Sequence, residues 1–211
     1  MIFVIADLAG YTALTEAHGG EGAAAAVARY RELAEGALAT GARIVEQVGD
    51  ELLIVADDAR AAVTTAARLR AAVDDEPRFP GVRIGIHGGP VVERNGRYFG
   101  AALNVAARLA ARARADEILC SAEVAGACRD LAGVTFHALG PQRLKNVPAP
   151  VEVVALERAD IHRTSPMDPV CRMHLEPEAA AVRVAIGDAT HVFCSLDCAR
   201  AFLAHPERYR T

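Results

Sequence analysis

No lysine- or arginine-rich run appears in the chain, and its formal net charge is −4. That combination argues against a nucleic-acid partner, which needs a basic footprint. Long apolar runs are missing too. The N-terminal stretch Ile2–Ala6 is five residues long before Asp7 interrupts it. Such a run is too short for a signal peptide or a membrane span, so a cytoplasmic protein with no membrane partner is expected. Cysteine is scarce, with five in 211 residues and three of those in the last fifth. The number excludes a disulfide framework, and the uneven placement points to a separate tail module. Cys120 and Cys128 read as buried small hydrophobes. No internal repeat is present, and Ala23–Ala26 is ordinary helix composition.

What remains is a globular composition, 52% apolar and 24% charged, with room for one ordinary domain plus something small. Strand-like runs fall at 2–6, 42–48, 51–56, 82–88, 91–99, 116–120, 133–139 and 150–156. Ala/Arg/Leu-rich helical runs fill 21–39, 58–75, 100–113 and 121–131. Turns at Gly49-Asp50 and Asn95-Gly96 make two hairpins. The pattern predicts an α+β sandwich of ferredoxin-like type over 1–157, with helices on one sheet face. Residues 158–166 lose periodicity and read as a linker, and a Cys/His/Pro-rich composition begins at Met167 and runs to 211.

Two carboxylates stand out. Asp7 closes the first apolar run, and Asp50 sits at the tip of a tight hairpin. At the ends of neighbouring strands they could share a pair of divalent cations, which suits phosphoryl transfer. Asn104 and Arg108 are four apart, on one helix face. His87 reads as structural, and His18 and His137 carry no readable signal.

Phe3-Val-Ile-Ala-Asp7-Leu-Ala-Gly10-Tyr-Thr12, Gln47-Val-Gly49-Asp50, Phe99-Gly-Ala-Ala-Leu-Asn104-Val-Ala-Ala-Arg108-Leu and Leu139-Gly-Pro-Gln-Arg-Leu-Lys145-Asn-Val together resemble the class III nucleotide cyclases. The likeness runs over roughly the first three quarters of the chain. It implies a nucleoside triphosphate substrate and two Mg²⁺ or Mn²⁺ ions held by Asp7, Asp50 and the Leu8 carbonyl. Gly10, Tyr11 and Thr12 would offer backbone N–H groups to the phosphates. Asn104 would orient the ribose, Arg108 would stabilise the transition state, and Lys145 would meet the terminal phosphates, although Lys-Asn replaces the commoner Lys-Gly. A homodimer with shared active sites is implied as well. The base-reading positions are Glu46 and Arg97, which depart from the adenine pattern of the family. Glu46 could accept from guanine N1–H and N2–H while Arg97 donates to O6, so GTP is favoured. Uracil would fit the same pair, and a Glu46–Arg97 salt bridge closing an unused pocket is the structural alternative. Val48-Gly-Asp-Glu51-Leu also resembles the diguanylate cyclase hairpin, but those enzymes lack the Asn104/Arg108 helix in this order.

The tail, with Asp168-Pro-Val-Cys171-Arg-Met173, Val192-Phe-Cys194-Ser-Leu-Asp-Cys198 and Pro206-Glu-Arg-Tyr209, resembles the YHS domain. Cys171, Cys194 and Cys198 read as thiolate ligands for Zn²⁺ or Cu⁺, with His191, His174, Met173 or solvent as the fourth. Two other classes compete with the enzyme reading. One is a catalytically degenerate cyclase fold that binds nucleotide or a partner; the other is a metal-sensing protein with the cyclase fold as dimeriser.

Overall fold

The computed structural model describes residues 1–159, 165–176, 178, 180–187 and 189–209. Most of the expected linker, residues 160–164, lies outside the described residues, as do the last two residues of the tail. The first half is a βαββαβ unit made of β1 (Ile2–Leu8), α1 (Tyr11–Ala37), β2 (Ala42–Val48), β3 (Glu51–Ala56), α2 (Ala59–Asp75) and β4 (Val82–Gly88). Its strands order as β2-β3-β1-β4, the ferredoxin-like arrangement. Beyond it come a small hairpin of β5 (Val92–Arg94) and β6 (Arg97–Phe99), then α3 (Ala101–Arg112), β7 (Ile118–Ser121), α4 (Ala122–Ala127), β8 (Val134–Gln142) and β9 (Val151–Arg158). β7, β9 and β8 extend the sheet to seven strands, with β7 parallel to β4 and the other pairs antiparallel.

Alternation along β1 explains the layers. Val4, Ala6 and Leu8 point into one apolar cluster with residues of α1, α2 and α4. Phe3 and Ile5 point the other way, against Ala102, Ala106 and Ala110 of α3. Successive side chains of a strand face opposite sides, so a strand buried throughout needs cover on both. The helices therefore do not all lie on one sheet face, as the sequence had suggested: α3 covers the opposite one. Its seat is close, since a Cβ on Gly85 of β4 would fall 2.2 Å from the Ala110 nitrogen and 2.3 Å from the Ala106 carbonyl oxygen.

Helix α1 begins ten residues before its expected start. Gly19 (φ 74°, ψ 170°) breaks the helical conformation inside it, and the chain resumes the helix beyond. The tail forms a hairpin of β10 (Val182–Ile186) and β11 (Ala189–Phe193), then α5 (Leu196–Ala204) and a 3-10 turn at Pro206–Tyr209. Its core of Val170, Leu175, Phe193 and Phe202 also contains Leu14 and Ala23 from α1. A module of this size buries little apolar surface by itself, and α1 supplies the missing side of its core. Among the described residues, no helix is long and apolar enough to cross a membrane.

Candidate active site and tail metal centre

Asp7 lies on β1 directly opposite Arg83 of β4, and the two side chains form an ion pair. Asp50 sits in the two-residue turn between Val48 and Glu51, where Gly49 takes φ 60°. A positive φ at the first central position suits glycine and makes the tight turn that fixes the next residue, Asp50. Burial pushes the Asp50 carboxyl up to about 7, helped by a hydrogen bond with Asp7 and by its negative charge, while Arg83 opposes. Burial, followed by the Asp7 charge, raises Glu51 as well. Tyr30, fully buried on α1, feels both aspartates, and its hydroxyl has no hydrogen-bond partner among the described residues.

Two neighbouring carboxylates, one of them paired with Arg83, beside a buried hydroxyl without a partner among the described residues, are a donor set that fits divalent cations. Leu8 is buried at the end of β1, and Gly10 (φ 75°) caps α1, so Tyr11 and Thr12 occupy its first turn. Here the structure places the three residues at a helix N-terminus, where free N–H groups attract anions.

Helix α3 brings Asn104 to a cleft of about 270 Å³, shared with Glu46, Val48 and Glu51 from the β2–β3 hairpin and with Leu103 and Ala107. Asn104 is exposed and Arg108, one turn on, is half-buried; neither side chain makes a hydrogen bond or ion pair with another described residue. The bulge between Ile44 and Glu46 falls just before the candidate base reader. Glu46 and Arg97 meet as an ion pair at 3.5 Å, with side chains 43% and 68% exposed. So solvated a pair contributes little to stability and is open to exchange for another partner. Lys145 is exposed between β8 and β9. The following Asn146 has φ 62°, a left-handed conformation that asparagine adopts more readily than other non-glycine residues, so Lys-Asn can stand in place of Lys-Gly. His87 shares a 2.9 Å hydrogen bond with Ser121 through Nδ1, and burial lowers its pKa, as befits a structural histidine. Cys120 and Cys128 are fully buried.

In the tail, the three cysteine sulfurs converge. Cys194 lies 3.4 Å from Cys171 and 3.6 Å from Cys198, all three buried. Asp168 organises them from full burial. One carboxylate oxygen accepts from the Val170 and Cys171 N–H groups at 2.8 and 3.4 Å, and the other accepts from Cys194 N–H at 2.8 Å. Ser195 caps α5 by accepting from Cys198 N–H at 3.1 Å. Thiols this close cannot all ionise unaided. Hydrogen bonds from its two neighbours draw Cys198 far down, while the bond with Cys194 pushes Cys171 up.

A fourth group, which no sequence motif marks, completes the cluster. His18 of α1 places Nε2 3.2 Å from Cys194 Sγ and 3.9 Å from Cys198 Sγ. The four ligand atoms all lie within 4.8 Å of one another. The fourth-ligand candidates from the tail itself are engaged elsewhere. His174 pairs with Asp116, His191 packs at a tilt against Phe202 with ring centroids 4.9 Å apart, and Met173 is held by its backbone in a bridge to Pro80.

With this geometry in hand, known proteins supply the family. The crystal structure of an adenylate/guanylate cyclase/hydrolase from Silicibacter pomeroyi is 34% identical, with a TM-score of 0.64, over 75% of this chain and 98% of that one. The chain belongs to the class III adenylate/guanylate cyclase family. Residues 167–211 match the YHS domain, so the cyclase domain is fused to a C-terminal YHS domain. The pH-sensitive adenylate cyclase of Mycobacterium tuberculosis is 30% identical over 72% of this chain and 39% of its own length. An adenylate cyclase of Streptomyces griseus is 38% identical over 54% of this chain and 29% of its own. The chain thus spans well under half the length of these curated relatives.

Proposed function

We propose that this chain is a homodimeric nucleotide cyclase that converts GTP into the 3′,5′-cyclic nucleotide and pyrophosphate. The observation that carries the reading is the meeting of Asp7 and Asp50 at adjacent strand ends, together with Asn104 and Arg108 along one face of α3. In the reaction the ribose 3′-oxygen bonds to the α-phosphorus as the bond to pyrophosphate breaks, and the hydroxyl proton leaves to solvent. Asp7, Asp50 and the Leu8 carbonyl would hold Mg²⁺ or Mn²⁺, which when bound supply charge for the triphosphate and acidify the hydroxyl. The first turn of α1 receives phosphate oxygens on the Gly10–Thr12 backbone, and Lys145 meets the terminal phosphates. Asn104 orients the ribose. Arg108, free of any ion pair with a described residue, meets charge that develops at phosphorus, a role worth about 10²–10³ in rate for one fixed donor.

Glu46 and Arg97 support guanine because each can trade the other for the base: Glu46 accepts from N1–H and N2–H, and Arg97 donates to O6. The same ion pair favours a second reading, a nucleotide-binding module without turnover in which the pair stays closed. Exposed Val48, Val92 and Phe99 (66, 57 and 51%) on the two hairpins beside the site support a second copy of the chain across this face. In the tail, the three thiols serve as ligands for a soft metal, Zn²⁺ or Cu⁺.

Shared sites have a direct test. Asp50→Ala and Asn104→Ala/Arg108→Ala proteins should each be inactive. Mixed, they should recover roughly a quarter of wild-type activity, because half the dimers are mixed and each of those holds one intact site. A mixture as inactive as its components, with mixed dimers shown by mass, would contradict the shared site.

A further inference from the structure

The geometry points to a zinc site of three cysteines and one histidine that spans both domains, with His18 of the cyclase domain as the fourth ligand to Cys171, Cys194 and Cys198. The inference rests on the reading of the three thiols as ligands and adds to it a ligand from outside the YHS domain. Zinc–sulfur bonds of about 2.3 Å in a tetrahedron set edges of about 3.8 Å between sulfurs and about 3.6 Å from sulfur to nitrogen. Four of the six edges are 3.4 and 3.6 Å between sulfurs and 3.2 and 3.9 Å from His18 Nε2, and the other two are within 4.8 Å. The set therefore has the dimensions of a site for one small ion. Three thiolates and an imidazole, closed and largely buried, match a structural zinc site rather than a catalytic one with an open position. Buried Asp168 and the Ser195 cap hold the cysteine backbones in place through their N–H groups, the supporting shell that such sites require.

The position of His18 gives the site its consequence. It lies on α1 just before the Gly19 break, eight residues beyond Gly10, roughly 12 Å along the helix. The tail is also bound to the segment before β4. Gly81 N–H donates to the Arg172 carbonyl at 3.0 Å and His174 N–H donates to that of Phe79 at 3.1 Å, and within the cyclase domain Ala9 N–H, just before α1, donates to the Gly81 carbonyl at 2.8 Å. An ion bound by residues 18, 171, 194 and 198 closes a covalent loop through the linker and fixes the tail to the helix whose first turn faces the triphosphate. Zinc then acts as an inter-domain staple.

The test uses the full chain, reduced and metal-free, with Zn²⁺ for affinity and Co²⁺ as a spectroscopic probe. Wild type should bind one zinc per chain, and its cobalt form should show the intense visible bands of a four-coordinate thiolate site. His18→Ala removes a direct ligand, so it should bind zinc at least about 100-fold more weakly, beyond the ~10–100-fold that loss of an outer-shell partner costs, and its cobalt bands should weaken and shift. His18→Cys should recover the affinity and move the cobalt bands to those of four thiolates. Unchanged affinity and spectrum in His18→Ala would overturn the histidine alone, and so would unshifted cobalt bands in His18→Cys, which keeps the question open to measurement if the alanine variant does not fold. Wild type that binds no zinc while all three thiols stay reactive would overturn the thiol reading together with it. Neither outcome bears on the cyclase chemistry.

Discussion

Asp50 is half-buried beside Asp7, where a backbone hydrogen bond and the Arg83 charge only partly offset burial and the second carboxylate. Neutralising it should relieve that repulsion when no cation is present. Asp50→Asn is expected to raise the melting temperature of the EDTA-treated protein at pH 8 by roughly 2–4 °C. Addition of Mn²⁺ should stabilise wild type but not the variant, and the variant's cyclase rate should fall at least ~10²-fold. A variant that melts lower than wild type without metal would show that Asp50 serves the fold, not the cation. Asp50 could be read from its Gly-Asp turn because a tight hairpin is a local device, legible over a few residues. His18 could not. Its partners lie more than 150 positions away on another domain, and a single histidine on an Ala-rich helix has no local pattern to mark it. The Glu46–Arg97 ion pair is the contact of the structural alternative to the guanine reading, and a solvated pair of this kind is compatible with either.

Helix α3 is the element on which the site depends most, because it carries Asn104 and Arg108 and fixes their height above the sheet. Gly85 is what lets it lie flat on β4. Gly85→Ala should cost about 3 kcal/mol in urea unfolding, because its methyl would meet helix backbone rather than a side chain that can swing aside. Wild-type stability in that variant would mean that α3 is not seated on β4 as described. The run 100–113 identified this helix from sequence, but not its side of the sheet. Strands buried on both faces look uniformly apolar, so their pattern does not say which helix covers which face. The start of α1 was hidden for a different reason: Gly19-Gly20 looks like a loop, whereas the chain runs helical on either side of a single break.

At the scale of the whole molecule, β4 and β7 tie the ferredoxin-like half to the rest, and His87 sits at that seam with its ring bonded to Ser121. Burial lowers its pKa below the ordinary 6.5, with Glu123 opposing. The unfolded chain therefore takes up a proton at higher pH than the folded one. Stability from this group is complete above about 6.5 and is lost as the pH falls towards the folded value. In urea unfolding at pH 8, 6.5 and 5, His87→Gln should lose less stability than wild type between the last two. Equal losses would place the acid sensitivity in other groups.

Turnover itself is the central claim. The most direct measurement is incubation of the purified full chain with ATP, GTP, CTP and UTP separately, in Mn²⁺ or Mg²⁺, with cyclic nucleotides read by mass spectrometry. Cyclic GMP as the main product, lost in Asp7→Ala and in Arg108→Ala, is the expected result. Cyclic AMP or a cyclic pyrimidine instead would contradict the guanine reading of Glu46 and Arg97. No cyclic product from any of the four, with folded dimer confirmed, would contradict the cyclase account and leave a nucleotide-binding module.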